Sequence, residues 1–534
     1  LVIKISFGNN FSGYLMNNQQ ADYYSSNLSA FLMKSKNDLK LLFVNPCLRP
    51  GGFTKSLPVG LASVITYFHE NGYEFTLLDT DINEYDDVHV EKYLQKTHFD
   101  FILIGTIVTH YKWIKWFVNT AKKYQPQSKV IVGNSVAGSI PELFLNKTSA
   151  DIAVLGEGEI SAYEAVEAIR LGKDLTTVEG IAFKNSSNEY IETKHRQAAK
   201  IDDLPMINWD FFDVERYLEL PETIPDNNED SMDSNRSMPV ITARGCAFKC
   251  TFCHYVFWDD PYRNRSPSKI IEEIRSMINK YNVTHIHFWD DLSFASATQA
   301  ERLCDKILES GLKFKWLATV RVDLFSRARL DEKEALRVAK KMKRAGCYAA
   351  GFALESGNQE ILEMMNKHIE VDAFYATVKI LKDADITCHT SVVFGYPTEN
   401  KETIAQTFEQ CYKAQVYPSI GFLLPLPYTV MYDYAKLNGF ITDEDQYLES
   451  ITERQDICVN MTKMSDEEVM SEIKKGAKKL NDMLGLGLDD STYIKTKKYQ
   501  NEKIKKKKLP PIDVDNIKRI ENDVSFNYAA AEFN

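Results

Sequence analysis

"ARGCAFKCTFCHYVFW", residues 243–258, places three cysteines, Cys246, Cys250 and Cys253, within eight residues. No second C-x-x-C occurs anywhere in the chain. A structural zinc site takes four protein ligands, usually as two separated pairs, and here the fourth is missing. His254 adjoins Cys253 and is badly placed to fold back onto the same metal. A redox pair needs only Cys250 and Cys253 and leaves Cys246 without a purpose. Three thiolates on a cubane iron–sulfur cluster leave one iron open, and an open iron can bind a substrate or cofactor. The spacing favours the cluster.

Working outward from the cysteines, apolar runs alternate with helical periodicity. The strand candidates are "PVITARG" (239–245), "HIHFWDD" (285–291), "FKWLATVR" (314–321), "YAAGFALES" (348–356), "TCHTSVVFGYP" (387–397) and "YPSIGFLLPLP" (417–427). Helix candidates lie between them, around 268–281, 298–310, 331–345, 372–384 and 401–415. Six such repeats are too few for a closed eight-strand barrel and predict a partial (β/α)6 barrel, with its chemistry at the strand carboxyl ends. The cysteines follow the first of these strands.

A second alternation precedes the first. "LKLLFVN" (39–45), "EFTLLD" (74–79), "DFILIGT" (100–106), "KVIVG" (129–133) and "DIAVL" (151–155) read as strands. "PVGLASVITYFHENGY" (58–73) carries Leu61, Val64, Ile65 and Phe68 at helical spacing, with Gly72 at its stop. Continuous apolar strands separated by helices predict a doubly wound, Rossmann-like α/β domain. Its ligand crevice should lie at the strand carboxyl ends. Three of those ends are "GTIVTHY" (105–111), "GNSVAGS" (133–139) and "LGEGE" (155–159), whose small residues can bring backbone close to a large ligand. No G-x-G-x-x-G follows the first strand, which argues against a nicotinamide cofactor.

Composition sets the bounds. The chain has 534 residues, so more than one domain is expected. Lys plus Arg is 64 against 75 for Asp plus Glu, a net charge of -11, which argues against a general nucleic-acid binder. The longest apolar run, "FILIGTIV", is too short to span a bilayer, and no membrane span is expected. The start "LVIKISFGNNFSGY" has no signal-peptide pattern. Nine cysteines, odd in number and mostly scattered, suit a reducing cytoplasm better than a disulfide framework. The expected boundaries are an extension over 1–38, the doubly wound domain over 39–200, a linker over 201–238, the barrel over 239–440 and a mostly helical region over 441–534.

C-x3-C-x2-C with Phe252 before the third cysteine resembles the radical S-adenosylmethionine (SAM) enzymes. "HFWDD" (287–291) is similar to their second-strand segment, which implies that Asp290 or Asp291 holds the SAM amino group. "WLATVRVD" (316–323) resembles the third strand with its arginine, Arg321. "AGFALESGNQEILEMMNKH" (350–368) is similar to the fourth, which implies SAM contacts from Glu355 and Ser356. "VVFGYPTENKETI" (392–404) resembles the fifth strand with its adenine contact. "LPLPYTVMYDYAK" (424–436) resembles the sixth, with Pro427-Tyr428-Thr429 where the family often has Pro-Gly-Thr.

With a doubly wound domain in front, the whole resembles the cobalamin-dependent (class B), methyltransferase-like branch of that family. The resemblance implies a 4Fe-4S cluster on the three cysteines, SAM and cobalamin. For the corrin it points to Thr106, His110, Gly133, Asn134, Ser135, Gly156, Glu157 and Gly158. The signature D-x-H-x-x-G is absent, so no histidine is offered there as a lower cobalt ligand. The implied reaction is methylation of an unactivated carbon of a small molecule or peptide through a 5′-deoxyadenosyl radical, with flavodoxin or ferredoxin as electron donor. Ring closure or other rearrangement without methyl transfer, or a non-catalytic carrier or sensor, are the alternatives.

Several stretches stay open. Tyr255, Phe257, Trp258 and Tyr262 either shield the cluster and line the substrate pocket or pack under a loop. "KTKKYQNEKIKKKK" (495–508) is a solvated face or tail, or a docking site for an anionic partner. Cys304, Cys347, Cys388, Cys411 and Cys458 fall in apolar segments and are expected to be buried. Ser465 and Glu468 are set as a capping box. The region beyond 440 is expected near the substrate.

Overall fold

The computed structural model describes residues 34–52, 54–220, 235–254, 260–451, 456–489 and 493. Tyr255, Phe257, Trp258, the run 495–508 and most of the extension lie outside the described residues.

The first domain is a seven-stranded sheet of β1 (Leu41–Asn45), β2 (Thr76–Asp79), β3 (Phe101–Gly105), β4 (Lys129–Gly133), β5 (Ile152–Val154), β6 (Ile181–Lys184) and β7 (Tyr190–Glu192), in the order β2-β1-β3-β4-β5-β6-β7. β1 to β5 are parallel, and β6 and β7 add an antiparallel hairpin at one edge. Every residue of β1 is buried, as a strand covered on both faces requires. The helix Val59–Glu70 buries Ala62, Ile65 and Phe68, while Leu61 and Val64 are only half-buried, so its inner face is rotated from the expected one. Residues 201–220, expected as linker, are packed instead. Trp209, Phe212, Val214, Tyr217 and Leu218 join the core, and the Tyr217 hydroxyl donates to Asp79 at 2.8 Å. Sequence alone hid this because the buried residues fall in very short helical turns with no sustained period.

The second domain holds six parallel strands: β8 (Ser237–Val240), β11 (His285–Phe288), β12 (Lys315–Thr319), β13 (Cys347–Glu355), β14 (Thr387–Phe394) and β15 (Pro418–Phe422). They neighbour one another in chain order and do not close, since β8 and β15 form the two edges. A two-residue ribbon of β9 (Ala243–Arg244) and β10 (Arg263–Asn264) stands at the end of β8. Helices Pro267–Tyr281, Ala297–Ser310, Glu332–Arg344, Val371–Asp383 and Lys401–Ala414 cover the outside. Trp316 of β12 shows which face they cover: it is fully buried and stacks on Phe288 of β11 at 5.1 Å.

The helix Asp466–Leu484 begins with the expected capping box of Ser465 and Glu468. It packs on the outer helix Lys401–Ala414, where a Cβ on Gly476 would sit 2.2 Å from the Phe408 ring. Only glycine permits that approach. This helix therefore lies on the barrel's outer layer. All nine cysteines are free; Cys304, Cys347 and Cys411 are buried, and Cys388 and Cys458 half-buried. Among the described residues no helix is long and apolar enough to cross a membrane.

Candidate active site

The cysteine loop lies at the carboxyl end of β8, as the barrel reading required, and neighbouring segments pin it through its backbone. Thr251 N–H donates to the Met365 carbonyl at 2.9 Å, and the Thr251 carbonyl accepts from Met431 N–H at 3.1 Å. Asn366 donates to the Lys249 carbonyl at 2.7 Å, and the hydroxyls of Thr251 and Tyr396 are 3.1 Å apart. His254 is turned away from the cysteines, its Nδ1 donating to the Pro427 carbonyl at 2.8 Å. Burial pushes the thiols of Cys246 and Cys250 up, while Lys367 and Arg321 pull Cys250 the other way. Such thiols become thiolates when a metal takes them.

The two candidate carboxylates at the end of β11 divide their work. Asp290 accepts from Thr242 N–H at 2.8 Å, the Thr242 hydroxyl at 2.6 Å and Ala243 N–H at 3.1 Å. Burial lifts its carboxyl to about 6 against those bonds. Its oxygens are engaged in holding the stem of the cysteine loop. Asp291 faces the thiols closely enough to raise those of Cys246 and Cys253.

Arg321 also braces. It pairs with Asp323 at 2.9 Å, donates to the carbonyls of Lys367 and His368, and lies over the Phe248 ring of the cysteine loop. Ser356 is fully buried and accepts from Asn358 N–H at 3.2 Å beside Thr407, so it shapes the turn after β13. Glu355 is different. It sits at φ +64°, one carboxylate oxygen accepts from Lys367 at 3.0 Å, and the other is buried with no partner among the described residues. Lys367 was missed by sequence reasoning. It lies twelve residues beyond Glu355, past a short helix, and no spacing rule singles it out.

In the first domain the carboxyl ends of β3, β4 and β5 stand side by side, with Gly105 opposite Gly133 in register. Thr106 is buried and bonds His110 Nδ1 at 3.1 Å; His110 stacks on Trp113 at 4.8 Å, and burial lowers it to about 4. Asn134 adopts φ +64°, and the Ser135 hydroxyl accepts from Val108 N–H at 2.9 Å, tying two of the loops together. Gly156 has φ +83°, and Gly158 starts the helix Gly158–Arg170. Glu157 between them pairs with Arg244 at 3.1 Å and with Arg263. Its carboxylate therefore faces the barrel side.

The residues present fit the implied groups. Among the described residues no three His, Cys, Asp or Glu side chains gather on one metal-ion point. A four-iron cluster does not ask for that, because each thiolate takes a different iron. The unpartnered oxygen of Glu355 fits a bound hydrogen-bond donor. The ends of β3, β4 and β5 carry small residues, Gly105, Thr106, Gly133, Ser135 and Gly156, as close approach of a flat macrocycle requires.

Comparison with known proteins agrees. The Radical SAM superfamily model matches residues 240–411 and the B12 binding domain model residues 54–166. An uncharacterized methyltransferase of Pyrococcus horikoshii is 26% identical over 393 residues, covering 73% of this chain and 80% of the relative. An anaerobic magnesium-protoporphyrin IX monomethyl ester cyclase of Rubrivivax gelatinosus is 24% identical over 383 residues, covering 70% and 65% respectively. The fold is similar to that of the cobalamin-dependent S-adenosylmethionine radical enzyme OxsB, with a TM-score of 0.60 at 15% identity over 80% of this chain. This chain spans 58% of the length of that one. With a cobalamin domain, a three-cysteine loop on an open barrel and both family models in the expected order, the chain belongs to the cobalamin-dependent (class B) radical SAM enzyme family.

Proposed function

We propose that this enzyme is a methyltransferase acting on an unactivated carbon of a small molecule or peptide, with flavodoxin or ferredoxin as electron donor. When bound, the cluster and SAM supply a 5′-deoxyadenosyl radical and cobalamin supplies the methyl group. Cys246, Cys250 and Cys253 would hold the cluster, and Asp291 and the open oxygen of Glu355 would hold SAM. Asp290, Arg321 and Ser356 keep these groups in place, which matters because a misplaced primary radical attacks the nearest side chain. Leu57, Tyr217, Pro239, His287 and Trp289 line a small cavity of about 20 Å³ where the first domain meets the barrel. Burial lowers His287 to about 4, so it stands there as a neutral imidazole.

The observation that carries methyl transfer is coverage: the Pyrococcus methyltransferase is matched over 80% of its length, the Rubrivivax cyclase over 65%. The cyclase relative keeps ring formation as the second reading. Anaerobic turnover of the reconstituted enzyme with SAM, cobalamin and a strong reductant decides between them. Methyl transfer yields both 5′-deoxyadenosine and S-adenosylhomocysteine; ring chemistry yields deoxyadenosine alone. Neither product, with both cofactors confirmed and candidate substrates present, would overturn the enzyme reading in favour of a carrier or sensor.

A further inference from the structure

The stem of the cysteine loop carries an apparent error. In the ribbon of β9 and β10, Arg244 and Arg263 are direct partners, so two like charges project from one face of a pair only two residues long. Such a ribbon does not hold itself together. A carboxylate from the other domain resolves the conflict. Glu157 pairs with Arg244 at 3.1 Å through one oxygen and with Arg263 through the other. Glu159, buried on the same loop, pairs with Arg244 at 2.7 Å and accepts from Ser63 at 2.6 Å. Arg263 also donates to the Ala199 carbonyl.

Both ends of this network lie beside cofactor loops. Glu157 stands between Gly156 and Gly158, whose backbones resist bending least. Arg244 stands two residues before Cys246, at most about 7 Å along the chain. The path from one loop to the other therefore runs through two neighbouring carboxylates and a very short piece of backbone, and Glu157 is the one that holds both arginines of the ribbon. Other contacts join the same units: His195 reaches Asp260 at 3.1 Å, and Tyr111 and Lys115 reach Asp445 at 2.6 and 2.9 Å. Those contacts attach the domains, while the pairs of Glu157 and Glu159 are the ones that meet the stem of the cysteine loop.

We propose that Glu157 is a positioning residue that sets the separation between cobalamin and the iron–sulfur cluster. The inference rests on assigning 156–158 to the corrin and 246–253 to the cluster. Radical methyl transfer is sensitive to such a distance, because misplacement by about 1 Å can cost about a hundredfold in rate.

The test is pulsed electron paramagnetic resonance on the reconstituted holoenzyme, poised so that cob(II)alamin and the reduced cluster coexist. The cluster speeds cob(II)alamin relaxation in a steeply distance-dependent way. Wild type is expected to show one narrow separation. Glu157→Gln is expected to broaden or shift it by about 1 Å or more at unchanged iron and cobalamin content. Glu157→Asp, which keeps the charge, is expected to restore part of the narrow component, and Arg263→Gln gives an independent break of the same link. An unchanged separation in both Glu157→Gln and Arg263→Gln would overturn the proposal. So would selective loss of cobalamin from Glu157→Gln, since Glu157 would then be a corrin contact. Wild type that takes up no cobalamin would instead overturn the loop assignment.

Discussion

The guanidinium carbon of Arg321 lies 3.5 Å from the centre of the Phe248 ring. Phe248 sits between Cys246 and Cys250, so this stack presses the arginine that follows the third barrel strand onto the cysteine loop. A cation over an aromatic face is worth about 0.5–2 kcal/mol, and a planar guanidinium stacks where an ammonium does not. Arg321→Lys and Phe248→Ala should therefore each lower iron uptake, and a double-mutant cycle on unfolding should return a coupling of ~1 kcal/mol. Additive losses would show that the stack contributes nothing.

Lys367 is the second cation facing the thiols, and its effect should appear in the reduction potential. A nearby positive charge favours the more negative, reduced cluster. Lys367→Gln should lower the midpoint on the order of 50 mV, as for one charge at several ångströms in an intermediate dielectric. A redox titration followed by the reduced cluster's resonance signal reads it directly. An unchanged midpoint would mean that Glu355, 3.0 Å away, already neutralises the ammonium.

Asp290 and Asp291 make opposite predictions. Asp290→Asn keeps an acceptor for the Thr242 and Ala243 amides and should leave SAM binding intact, whereas Asp291→Asn should weaken it at least tenfold. Equilibrium binding of SAM to the cluster-loaded protein separates them.

A pH signature accompanies the first substitution. Burial raises the folded Asp290 carboxyl to about 6, above its unfolded value, so the folded state binds the proton more tightly. Its stability contribution is most favourable below the unfolded value and falls as pH rises through about 6. Against Asp290→Asn, wild type should lose ~1–3 kcal/mol between pH ~4 and ~6.5 and then level off. Denaturant unfolding of both proteins across that range measures it.

Tyr428 stands where the family often has glycine, and the backbone explains the preference: its φ is +68°. A side chain there costs about 1–2 kcal/mol, and glycine returns about half of that in unfolded-state entropy. Tyr428→Gly should be neutral or slightly stabilising, while β-branched Tyr428→Val should cost ~1 kcal/mol or more. Thermal unfolding of the two variants distinguishes them.

The sequence by itself determined both alternating patterns, the three-cysteine loop and the cap at Ser465, because each is written in local spacing: buried strands as apolar runs, helices as a 3.6-residue period, capping as a four-residue motif. The tertiary structure alone decided which partner each candidate side chain meets. Glu157 reaches Arg263 across 106 positions, Asp290 reaches Thr242 across 48 and Arg321 reaches Lys367 across 46. A charged side chain at a strand end has the same sequence signature whether it meets a ligand or an arginine from another domain. The difference lies in the partner that desolvates with it, and only the packed chain brings that partner within 3 Å.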